Sequence, residues 1–140
     1  MSNGIAPHQG SMEKILKFSA SMQPKIAEWA AGLDADALET LSNLILKFEE
    51  DFSKSAGKPF TEKAAIVMNW LETFSAAIDK SGKTSSTWTL LQTEIRELCK
   101  TVPTGISEKI AVMGSATLLI GLLLTHFDRR RNISRGRKSA

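Results

Sequence analysis

Residues 110–127 (IAVMGSATLLIGLLLTHF) are eighteen consecutive residues without a formal charge, bounded by Glu108-Lys109 and by Asp128-Arg129-Arg130-Arg131. As a helix rising 1.5 Å per residue the run reaches about 27 Å, near the roughly 30 Å of a bilayer's hydrocarbon core. A chain of 140 residues has little interior in which to hide so apolar a helix on every side. The run is therefore expected to span a membrane. The same residues admit two other placements, lying in the interface or forming the buried central helix of a soluble bundle. The second has support in Gly114, Thr117, Gly121 and Thr125, which fall on one face and make the run less than uniformly apolar.

The basic C-terminal tail points the same way. Residues 128–140 hold six of the eighteen Lys/Arg (Arg129, Arg130, Arg131, Arg135, Arg137 and Lys138) and one of the fifteen Asp/Glu, a net of +5. The remaining residues, with 12 basic and 14 acidic side chains, carry −2. The overall +3 thus reflects an appendage and not a basic body suited to nucleic acid. These six side chains are expected to anchor the helix end or to meet anionic lipid headgroups. Residues 129–138 contain no aromatic that could stack on a base, so nucleic acid is not an expected partner. Arg131 and Ser134 form a weak basophilic kinase pattern.

Upstream, the apolar spacing is helical throughout. Residues 1–11 (MSNGIAPHQGS) lack it and read as a disordered extension with no signal peptide. Ile15, Phe18, Met22, Ile26, Trp29 and Leu33 recur at steps of three or four, and Pro24 within that stripe predicts a kink or two short helices, 12–21 and 24–31. Asp34 and Asp36 open a second helix with the stripe Leu38, Leu41, Ile45, Phe48, Phe52, which should end near Ser55 before Ala-Gly-Lys-Pro. Thr61 caps a third, with Val67, Trp70, Leu71, Phe74 and Ile78 inward. The fourth carries Trp88, Leu91, Ile95, Leu98 and Val102 and closes at Pro103-Thr104-Gly105.

No strand-length alternation interrupts this pattern, so the fold class is all-α. The expected organisation is a small antiparallel four-helix body over 12–103, a linker over 104–109, the apolar helix 110–127 and a basic tail over 128–140. The four stripes are expected to close on one another without the fifth segment.

Catalytic chemistry finds no support in the chain. Cys99 is the only cysteine and there are two histidines, which excludes a disulfide framework and a Cys/His zinc site. Gly82-Lys83-Thr84 resembles the closing half of a phosphate-binding loop, but the opening glycine is absent and position 77 is Ala, so a polar turn is expected. Glu49-Glu50-Asp51 lacks the spacing of a calcium loop. Trp29, Trp70 and Trp88 lie on different stripes and read as core anchors. His126 reads as an interfacial residue at the end of the run. No catalytic residue, cofactor or metal is expected.

The leading functional expectation is a non-enzymatic interaction module. Its helical body is cytosolic, binds another protein and is held on a membrane by a C-terminal tail anchor. The membrane would be the mitochondrial outer membrane or a similar one in a eukaryote, and the inner membrane in a bacterium. This layout is similar to that of tail-anchored cell-death regulators of the Bcl-2 type, although Asn69-Trp70 is followed by Leu71-Glu72 where that family's signature has Gly-Arg. A holin-like or pore-forming homo-oligomer packed through Gly114, Thr117, Gly121 and Thr125 is an alternative. The other is a soluble bundle with 110–127 at its centre.

Overall fold

The computed structural model describes the backbone of residues 7–139 and the side chains of residues 13–132. It is all-α, with no strand among the described residues: α1 (Pro7–Ala31), α2 (Ala35–Ser53), α3 (Phe60–Ser81), α4 (Ser86–Lys100) and the apolar C-terminal α5 (Ile106–Ser139).

Local chemistry accounts for most of the boundaries. Asp34 caps α2 by accepting a hydrogen bond from the Ala37 amide at 2.8 Å, and Ser85 caps α4 by accepting from the Thr87 amide at 3.1 Å. Gly82 ends α3 at φ 70°, a left-handed conformation in which a Cβ would be strained. The third helix starts at Phe60, with Pro59 and not Thr61 at the cap. The fourth ends at Lys100, short of Val102, which precedes Pro103 and is half exposed.

Two expectations for α1 are corrected. It begins at Pro7, inside the segment expected to be an extension, and residues 1–6 lie outside the described part. Proline is well placed there, since the first helical N–H has no partner within the helix. The helix also runs unbroken through Pro24. Pro24 and Ala20, whose carbonyl loses its partner, are both exposed, so water can satisfy that carbonyl. Met22 and Ile26 on either side are fully packed, and their burial holds the helix together.

A single core joins all five helices. In it α5 packs against each of the other four, most extensively against α1 and α2. The stripe of α1 is thus closed chiefly by α5 and that of α2 is shared between α5 and α3, so the fifth helix takes part in a core that the first four stripes are expected to close on their own. Ring contacts thread the core through every helix. Phe127 of α5 meets Trp29 of α1 (centroids 5.4 Å apart), Trp29 meets Trp88 of α4, Trp88 meets Trp70 and Phe74 of α3, and Trp70 meets Phe48 of α2. Trp70 and Trp88 are buried and Trp29 is half-buried, so the three tryptophans are the core anchors that their spacing predicts.

Candidate functional site

The inner face of α5 is the series Met113, Ala116, Ile120, Leu123, Phe127, joined by Leu119, all buried. Its steps of three and four are the helical repeat of a core-facing stripe. The outer face is also uncharged over residues 110–127. Ile106 is 76% exposed, Ile110 69% and Leu118 38%, with Gly114 and Thr125 exposed and Thr117 and Gly121 half-buried. Ile106–Asn132 is the one segment among the described residues long and apolar enough to cross a bilayer; its most apolar window has a mean hydropathy of 1.9 and is 44% buried.

The expected packing face therefore points away from the bundle. A Cβ added at Gly114 or Gly121 would meet nothing within 4 Å, so neither glycine is needed for contacts inside the chain. Thr117 donates its hydroxyl to the Met113 carbonyl at 2.9 Å and Thr125 to the Gly121 carbonyl at 3.0 Å. Those hydroxyls are satisfied within the helix and do not require water, which suits an apolar surrounding.

The tail continues α5, and its arginines are not equivalent. Arg129 is exposed and Arg130 is half-buried. Arg131 turns back onto the body, its side chain 15% exposed, with its guanidinium 3.6 Å from Glu39 of α2 and 2.8 Å from Asp128. In this packing its charge is engaged within the fold. The side chains of Arg135, Arg137 and Lys138 lie outside the described residues. One turn earlier His126, 9% exposed, hydrogen-bonds through Nε2 to Oε1 of Gln23 on α1 at 2.7 Å. It is packed at the end of the uncharged run. Gln23 and Glu39 carry no signal in the sequence that would pair them with partners about a hundred positions away.

Burial pushes the Cys99 thiol up to about 11, which keeps it protonated and unreactive at neutral pH. Lys83 pairs with Asp34 at 3.7 Å, and its carbonyl accepts from the Trp29 indole at 3.3 Å, so the Gly82-Lys83-Thr84 segment is a tied polar turn. Asp51 of the acidic cluster pairs with Lys47 across one turn. Among the described residues no group of His, Cys, Asp and Glu is placed to hold a metal ion. A shallow apolar cleft of about 280 Å³ opens between α2 and α3, floored by Phe48 and Trp70 and flanked by Leu44 and Ile66. Sequence reasoning missed it, because it depends on which faces of two helices adjoin. No protein-family model, curated protein or solved structure matches the chain.

Proposed function

We propose that the protein is a non-enzymatic helical interaction module that works at a membrane through α5, with the body formed by α1–α4 on the cytosolic side. The observation that carries this reading is the uncharged outer face running from Ile110 to Thr125 on a helix of bilayer length. Burying a large aliphatic side chain releases about 1.5–3 kcal/mol. In water Ile106 and Ile110 leave most of that unrealised, and lipid supplies a place for it. Arg129 and the basic residues beyond it on the same helix favour an anionic surface. In a bacterium this is the inner membrane, and in a eukaryote the outer mitochondrial membrane or one like it.

Flotation of the full-length protein with vesicles of phosphatidylcholine and phosphatidylglycerol, followed by a carbonate wash, tests the proposal. Retention through the wash is the expected result. Release by carbonate would reduce the membrane role to surface binding. Failure to float at any salt concentration would leave the second reading, a soluble bundle in which α5 is only the shared core helix. That reading has its own support in the packing of α5 against all four other helices.

A further inference from the structure

Helix α5 cannot keep its inner face in the bundle and be surrounded by lipid at the same time, so whatever ties it to the body sets whether it can enter a bilayer. Its first two turns are weakly held: Ile106 and Ile110 are exposed, and the first fully packed residue is Met113. From Met113 to Leu123 the inner contacts are apolar apart from the buried Ser115. Lipid tails match such contacts nearly as well as a protein interior does, so for this stretch of α5 itself transfer is close to neutral. The C-terminal end differs. There His126 bonds Gln23 of α1 at 2.7 Å, and Arg131 lies between Glu39 of α2 at 3.6 Å and Asp128 at 2.8 Å. Hydrocarbon reproduces neither the Gln23 nor the Glu39 contact, whereas the Asp128 pair lies within α5 and travels with it. The side chain of Arg131 is mostly buried, and its Nε has no acceptor, so the guanidinium depends on those two carboxylates.

Resting on the membrane reading above, we propose that Gln23 of α1 and Glu39 of α2, with His126 and Arg131 of α5, form a polar latch, Asp128 steadying Arg131 from within the same helix. It holds the C-terminal end of α5 against α1 and α2 and must open before the helix passes into lipid. Closed, it keeps an apolar helix soluble in the bundle, with the faces of α1 and α2 covered. Open, it frees the same arginine for the headgroup region, so one side chain exchanges a protein carboxylate for lipid phosphate.

The test reads carbonate-resistant flotation of the full chain with the same vesicles. Glu39→Lys sets a like charge beside the guanidinium and should raise the inserted fraction about fivefold, the equivalent of about 1 kcal/mol. A second arm does not depend on weakening the fold. Gln23→Cys and His126→Cys in a Cys99→Ser background, joined by a short cleavable crosslinker, should block insertion until the link is cut. Dilution of the unfolded wild-type chain from urea into vesicles separates the two ideas. If the chain inserts by that route while Glu39→Lys and the crosslink leave insertion of the folded protein unchanged, the latch is overturned and the membrane reading stands. If it does not insert even from urea, the membrane reading falls and the latch with it.

Discussion

At the residue scale, burial decides what the polar and aromatic side chains can do. Trp70 is 6% exposed, stacks on Phe74 at 4.6 Å and meets Phe48 and Trp88, while its buried indole Nε1 has no acceptor. Trp70→Ala should lower the unfolding free energy by about 3–5 kcal/mol, the range for deleting a large buried aromatic. Trp70→Phe should cost well under that. It keeps most of the ring contacts and removes a donor whose unsatisfied burial costs about 1–3 kcal/mol. Urea titrations of the two variants check the contrast, and equal losses would contradict it. Cys99 gives a test in pH. Its thiol is raised from 9.0 to about 11 by burial, so between those values the folded state holds a proton that the unfolded state has released. Stability should therefore fall as pH rises through that window, and Cys99→Ser should flatten the fall. Denaturant midpoints compared at neutral pH and in the window would show it.

At the element scale, what could be read in the sequence tracks how much of a helix's placement is local. The stripe and cap of α2 are short-range signals, and α2 lies where Asp34 and Leu38, Leu41, Ile45 and Phe48 put it. Pro24 is the contrary case: the local rule predicts a break, and the burial of Met22 and Ile26 overrides it. In α5 the inward series from Met113 to Phe127 is present in the sequence but obscured, because nearly every neighbour is apolar as well and periodicity has no contrast. The outward glycines of α5 permit a clean experiment. A helical glycine costs about 0.5–1 kcal/mol relative to alanine, and a Cβ at Gly114 or Gly121 meets nothing within 4 Å. Gly114→Ala and Gly121→Ala should each stabilise the bundle by about that amount in thermal or urea unfolding. If close helix approach in a membrane uses this face, the same substitutions should weaken self-association in detergent. Destabilisation of the bundle would mean that the face is packed after all.

At the scale of the whole molecule, the decisive fact is which helix closes the core, and only tertiary packing reveals it. Each of the first four helices carries an apolar stripe long enough to imply a four-helix body, but the partner of each stripe is not written in its spacing. In the structure α2 pairs with α3 and α3 with α4, while α1 is held chiefly by α5. A chain ending at Thr104 would leave Ile15, Met22 and Ile26 of α1 without their main cover, since all three are at most 1% exposed in the full protein. Even the partial loss of a few such side chains, at about 1.5–3 kcal/mol each when fully exposed, is comparable with the roughly 5–15 kcal/mol that stabilises a typical domain. The 1–104 truncation should therefore be helical but poorly cooperative in thermal melts, and prone to self-association on gel filtration. A sharp melt with a monomeric elution volume would mean instead that α1–α4 can repack on themselves. That result would make release of α5 into a membrane far easier than the closed bundle implies, because the body left behind would already be complete.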